Sequence, residues 1–187
     1  MSEADAETEA DPEHEEAEAG GDGDEPIPIG VKLGSTRTVI TIPEDDGFRT
    51  IKTLTCLATY EDVITGEEKV LYGEEAATEY PDRVQYTLRS GLPEDESRAE
   101  LTSTFFEEVI RANDVPEDSA VVYAIPTIDN ERGLKNLESV IEGSSIGEAL
   151  IRSYPESLCG SVPALGDGLE AVDDIFVTVN LGSTNLE

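Results

Sequence analysis

The sequence predicts an α/β domain on a mixed sheet, with three antiparallel strands followed by helices and strands in alternation. Three observations carry that prediction. Residues 27–60 hold short apolar runs rich in isoleucine and threonine, broken by the turns Gly34-Ser35-Thr36 and Pro43-Glu44-Asp45-Asp46-Gly47, the pattern of a meander. From residue 69 onward, extended runs alternate with segments whose apolar residues recur at helical spacing, which argues for helices packed on a sheet. Hydrophobic residues make up 37% of the 187 positions, enough for one domain of ordinary size with a real core.

Residues 1–26 are read as a disordered acidic tail. The first 25 carry twelve acids and no lysine or arginine, have almost no aliphatic side chain beyond alanine, and run through Gly20-Gly21-Asp22-Gly23-Asp24, so they cannot offset the entropy of ordering. Folding is expected over 27–187. Ile27 to Leu33 forms a first strand, stiffened at its start by Pro26 and Pro28. Arg37 to Ile42 forms a second and Phe48 to Tyr60 a third. Lys69 to Gly73 is a short extended piece, and Glu74 to Tyr80 a short helix that stops before Pro81. A helix over Ala99 to Asn113 follows from Leu101, Phe105, Val109 and Ala112 on one face, with Ser97-Arg98-Ala99-Glu100 as a capping box. Val121 to Pro126 reads as a buried strand. Asp129 is expected to cap the next helix, where Leu134, Leu137, Val140 and Ile141 share a face before Gly143. A strand near Ala149 to Tyr154, a helix or loop after Pro155, and a strand from Ile175 to Leu181 complete the series.

Charge narrows the function classes. There are 43 acidic against 12 basic side chains, a formal net charge of -31, which excludes a nucleic-acid binder held by phosphate contacts. Thirty-one acids against the same twelve bases remain after residue 25, so the whole domain is acidic. Molar salt shortens the Debye length to about 3 Å and relieves such self-repulsion; the composition points to a halophilic proteome. No apolar run reaches the roughly 18–20 residues of a transmembrane helix, and the N-terminus lacks the features of a signal peptide, so a cytoplasmic protein is expected. Cys56 and Cys159 sit in largely apolar surroundings and read as two buried thiols. His14 is the lone histidine and lies in the tail, so neither histidine catalysis nor a zinc site is expected in the folded part.

One repeat carries the functional reading. Val31-Lys32-Leu33-Gly34-Ser35-Thr36-Arg37 recurs as Val179-Asn180-Leu181-Gly182-Ser183-Thr184-Asn185, each copy after an apolar strand. Glycine permits a tight turn and close ligand approach, and the N–H groups and hydroxyls that follow suit phosphate oxygens. Two such turns at the ends of different strands can grip a polyphosphate from two sides. Taken alone, a Gly-Ser-Thr turn is more often an ordinary hairpin.

Ile29 to Thr36 resembles the first phosphate loop of the actin-like ATPases, the superfamily of actin, bacterial rod-shape filament proteins, Hsp70 chaperones and sugar kinases, and Val179 to Glu187 resembles their second. Val70-Leu71-Tyr72-Gly73-Glu74-Glu75-Ala76 is similar to a step of the bacterial and archaeal filament proteins. Tyr123 to Arg132 is similar to their strand-proline-turn-helix segment, and Tyr154 to Gly160 falls where they carry a connecting helix. The resemblance implies an RNase H-like first lobe, ATP or another nucleotide as ligand, and self-association into filaments. The short Gly91-Leu92-Pro93 region favours the filament-forming branch over Hsp70. By this resemblance Lys32, Gly34, Ser35, Thr36 and Arg37 face the phosphates from one side, and Asn180, Gly182, Ser183 and Thr184 from the other.

The resemblance also implies what is altered. The family places an aspartate two residues before each loop glycine to position magnesium; Lys32 and Asn180 stand there. The residue before the connecting proline, a catalytic glutamate in relatives, is Tyr154. An ammonium cannot coordinate Mg²⁺ but can contact phosphate as a point charge, so ATPase activity is uncertain and no metal ligand is assigned. The chain ends within the second loop, so a second lobe is expected to be missing. The expected function is an actin-like cytoskeletal or cell-shape protein of a halophilic archaeon, a nucleotide-linked filament subunit. The alternatives are an Hsp70-like or sugar-kinase-like ATPase on the same fold, for which Asp129 and Glu156 are the nearest candidate carboxylates, and a non-catalytic interaction module.

Overall fold

Alternation decides the faces of the central sheet, as the computed structural model shows for the residues it describes, 26–148, 150–165 and 178–179. β1 (Ile27–Leu33) pairs antiparallel with β2 (Arg37–Glu44), and β2 pairs with β3 (Gly47–Leu54). β1 also pairs in parallel with β7 (Ser119–Ile125), which pairs in parallel with β8 (Leu150–Pro155), giving the order β3-β2-β1-β7-β8. Ile29, Val31, Leu33, Ile40, Ile42, Val121 and Tyr123 point to one side and are buried, as a period of two requires. Gly30, Lys32, Val39, Thr41, Val122 and Ala124 point to the other.

Two helices cover the first side. α2 (Glu96–Ala112) supplies Phe105, Phe106, Val109 and Ile110, and α3 (Glu131–Glu142) supplies Leu137, Val140 and Ile141, all buried in one core. These residues recur at three- and four-residue spacing, so each helix turns a single stripe inward. The opposite side carries α4 (Glu156–Leu165), which follows β8 directly. No helix among the described residues is long and apolar enough to cross a membrane.

The expected strand over Phe48 to Tyr60 is two strands. β3 ends at Leu54, the chain bends at Thr55, and β4 (Cys56–Glu61) joins a second sheet with β5 (Glu68–Tyr72) and β6 (Gln85–Tyr86), in the order β5-β4-β6. The bend is fixed by the Thr55 N–H, which donates to the Thr36 carbonyl at 2.9 Å, and by the Thr55 and Thr38 hydroxyls, which bond at 3.0 Å. No glycine or proline marks it. α1 (Gly73–Glu79) packs against the small sheet and β3.

Both helix starts shift from expectation. Asp95, not Ser97, caps α2 by accepting the Arg98 N–H at 2.9 Å, so the helix begins at Glu96. Asn130, not Asp129, caps α3 by accepting from Gly133 N–H at 2.9 Å. Either residue of each pair has a capping oxygen, and local spacing alone does not choose between them. Cys56 is buried as expected, whereas Cys159 is only half-buried on α4. Residues 1–25 of the tail, and the closing strand over 175–181 except positions 178 and 179, lie outside the described residues.

Candidate functional site

The first loop is built at the junction of all these elements. Gly34 closes the β1–β2 hairpin by donating its N–H to the Arg37 carbonyl at 3.1 Å. A Cβ on Gly34 would stand 2.7 Å from that same oxygen, so the turn admits only glycine. The Gly34 N–H is therefore used within the turn. Ser35 reaches outward: its hydroxyl accepts the Gly91 N–H at 2.7 Å. Gly91 has φ +74 and packs against Pro126, at the exit of β7. One hydroxyl thus joins the loop after β1 to the turns beside β6 and β7.

The two cations of the loop are both engaged. Lys32 points to the α4 side of the sheet, and its Nζ lies 3.0 Å from Glu156 Oε2. The lysine side chain is 43% exposed while the glutamate is 8% exposed, so a buried carboxylate faces a half-exposed ammonium. Arg37 Nη1 lies 3.1 Å from Glu74 Oε1, in a mostly exposed pair. Glu74 also accepts from the Thr53 hydroxyl at 3.0 Å and the Leu54 N–H at 3.3 Å. Partial burial raises the Glu74 pKa, but its own backbone N–H, Leu54, Thr53 and Arg37 outweigh this and hold the carboxyl below its ordinary value.

Gly73 places Glu74 there. It has φ +63, and a Cβ would lie 1.9 Å from Thr53 Oγ1. The Gly-Glu-Glu-Ala step is thus a close contact between α1 and β3 that a side chain would prevent, and the Cys56 thiol donates to the Gly73 carbonyl at 3.4 Å.

A hollow of about 450 Å³ opens beside Lys32 and Glu156, lined further by Gly30, Val39, Val122, Cys159 and others. Burial pushes the Cys159 thiol up, Glu156 adds to the rise, and Lys32 opposes it. Tyr154 is 44% exposed on β8. Glu156, two residues later, is the carboxylate that reaches the loop. Of the two carboxylate candidates, Glu156 is the one that the structure brings to Lys32. No group of three or more metal-ligating side chains occurs among the described residues.

The structure therefore assembles Lys32, Gly34, Ser35, Thr36 and Arg37 at one strand end, and adds Glu74 and Glu156. Glu74 stands in the quoted Gly-Glu-Glu-Ala step, so its position was visible in the sequence although its partner was not. Asn180, Gly182, Ser183 and Thr184 lie outside the described residues.

Comparison with known proteins places this geometry. The sequence profile of the Salactin family matches residues 26–187. Salactin of Halobacterium salinarum is 63% identical over 159 residues, covering 85% of this chain and 44% of that protein; the chain spans less than half of its relative's length. Among solved structures, MreB5 of Spiroplasma citri bound to ADP superposes with a TM-score of 0.55 at 18% identity, over 76% of this chain and 41% of that one. A non-polymerising MamK mutant bound to AMPPNP gives a TM-score of 0.56 at 18% identity, over 76% and 45%. The MamK double helical filament gives 0.54 at 15% identity, over 71% and 42%. The described architecture is the RNase H-like first lobe of the actin-like fold.

Proposed function

The chain belongs to the Salactin family, and from that premise we propose that it forms the phosphate-facing first lobe of a nucleotide-linked, actin-like filament subunit in the cytoplasm of a halophilic archaeon. The single observation that carries the reading is Lys32. It stands two residues before Gly34, at the root of the loop, and is held at 3.0 Å by the buried carboxylate of Glu156.

The donor set fits phosphate and does not fit a divalent metal at this loop. An ammonium repels Mg²⁺ and attracts phosphate oxygens, and its partner Glu156 is already neutralised by it. Lys32, Ser35, Thr36 and Arg37 would hold the phosphates, with Lys32 supplying positive charge in place of a metal. No hydrolytic step is derived, because the position before the connecting proline holds Tyr154, which has no carboxylate to orient a water. Nucleotide occupancy, rather than turnover on this lobe, is what links ligand to assembly. The solved relatives support the reading through their ADP and AMPPNP complexes and the MamK filament.

The test is co-sedimentation of the full-length protein in molar KCl. ATP is expected to drive wild-type protein into the pellet, and Lys32→Ala to abolish that dependence while the protein stays folded by circular dichroism. Pelleting that is the same with and without nucleotide would defeat the proposal.

A further inference from the structure

We propose that the tip of the β4–β5 hairpin, Val63-Ile64, is a subunit contact: it enters an apolar recess of a second copy of this protein, head to tail. The proposal rests on the filament reading above and names the surface of this lobe that carries the contact.

Val63 is 101% and Ile64 93% exposed, more than any other large apolar side chain among the described residues. A slack loop could fold such residues away, but this turn is fixed. One Asp62 carboxylate oxygen accepts the Ile64 N–H at 2.9 Å and the Thr65 N–H at 3.1 Å, and the other takes the Lys69 ammonium at 2.6 Å. The Asp62 carbonyl accepts the Gly66 N–H at 2.7 Å, and the Asp62 N–H donates to the Glu67 carbonyl at 2.8 Å. Gly66 supplies the left-handed step, with φ +68. Below the turn, Tyr60 stacks on Tyr80 with ring centroids 4.8 Å apart, which ties β4 to the end of α1. Two aliphatic side chains are thus held out in water by a rigid backbone, and a knob already in its bound shape loses little conformational entropy on contact.

Shape, area and charge select the occupant. A convex tip needs a recess and two tips cannot fill each other, so each copy brings one knob and one recess, and a heterologous contact that does not close on itself builds an open filament. Burying both side chains covers on the order of 200 Å², well short of the roughly 800 Å² per partner of a stable binary complex. The tip therefore suits a contact that is repeated from subunit to subunit, where many weak engagements act together. A lipid surface is disfavoured by charge: Glu61 and Glu68 pair across the hairpin beneath the tip, next to Glu67, and all three are exposed, so insertion would press carboxylates against anionic headgroups. Between two copies the same carboxylates make the contact salt-dependent, since molar KCl cuts their reach to about 3 Å.

The experiment measures the critical concentration for pelleting of the full-length protein with ATP in molar KCl. Wild type is compared with V63S/I64S, with V63L/I64L, and with F48S, which removes the exposed Phe48 of β3. Both tip residues are fully exposed in the subunit, so the urea midpoint of each tip variant should match wild type. V63S/I64S should raise the critical concentration at least about tenfold, V63L/I64L should stay within about threefold of wild type because the apolar area is kept, and F48S should leave it unchanged. Wild-type pelleting with no rise in V63S/I64S, an equal rise in F48S, or a rise in V63L/I64L as large as in V63S/I64S overturns this inference and leaves the filament reading intact. Failure of wild type to pellet with or without nucleotide overturns both. A second arm floats the proteins with phosphatidylglycerol vesicles in the same salt: wild type should not float, and flotation of wild type that V63S/I64S loses overturns the second copy as the occupant.

Discussion

Replacing Gly73 with alanine tests how the small sheet is seated on the large one. Gly73 has φ +63, and an added Cβ would stand 1.9 Å from Thr53 Oγ1 and 3.3 Å from Thr53 Cβ. Holding a non-glycine residue in the left-handed region costs about 1–2 kcal/mol. Relief of the contact requires Thr53 to turn away, which forfeits its 3.0 Å bond to Glu74, a further loss of about 1 kcal/mol. Gly73→Ala should therefore destabilise the protein by about 2–3 kcal/mol. With a urea slope of about 2 kcal/mol/M, the midpoint falls by about 1–1.5 M in molar KCl. Gly160→Ala is the internal comparison: it lies inside α4 with no atom within 4 Å of its added Cβ, and it should raise stability by up to about 1 kcal/mol. Thr53→Ala should recover part of the Gly73→Ala loss, because the closest clash disappears. A Gly73→Ala midpoint within 0.2 M of wild type, on the order of the error of the fit, would refute the reasoning; so would a loss unchanged in the Thr53→Ala background.

Three further outcomes follow from the same structure. Ser35→Ala leaves the Gly91 N–H without its acceptor and should cost about 1–3 kcal/mol by the same urea measurement, with faster exchange of the Gly91 amide. The Glu74 carboxyl sits below its ordinary value, so its contribution is full above the usual glutamate pKa of about 4.3 and is lost as pH falls through the lower folded value. The wild-type stability should thus drop with acid more steeply than that of Glu74→Gln, and parallel pH curves would show that the carboxylate is not held. Finally, a net charge of -31 predicts a thermal midpoint that rises as KCl goes from 0.1 M to 1 M and the Debye length falls from about 10 Å to 3 Å; a midpoint that is flat or falling would contradict the salt-adapted reading.

Much of the large sheet was legible because its two faces are chemically distinct. Isoleucine, valine and leucine at alternate positions of β1, β2 and β7 mark the core face directly, and the stripes of α2 and α3 mark what covers it. The break at Thr55 was not legible. Residues 48–60 form an unbroken β-prone run, and the bend is fixed by bonds from Thr55 to Thr36 and Thr38, partners that only the tertiary fold brings near. The site divides in the same way. Lys32, Gly34 and Ser35 stand together in sequence and are visible as a group. Glu156 lies 124 positions from Lys32 and reaches it because parallel pairing of β1, β7 and β8 brings the start of α4 over the end of β1. No local pattern carries that information.

The central claim is that an ammonium at the root of the loop does the work of a metal ion. The most direct test is the ATP affinity of the full-length protein in molar KCl, measured with Mg²⁺ and again with the metal chelated, for wild type and Lys32→Asp. The account predicts a wild-type affinity that changes less than about threefold on chelation, and a Lys32→Asp protein that binds at least about tenfold more weakly without metal. Loss of wild-type binding on removal of Mg²⁺, or a Lys32→Asp protein that binds as well as wild type without it, would contradict the claim.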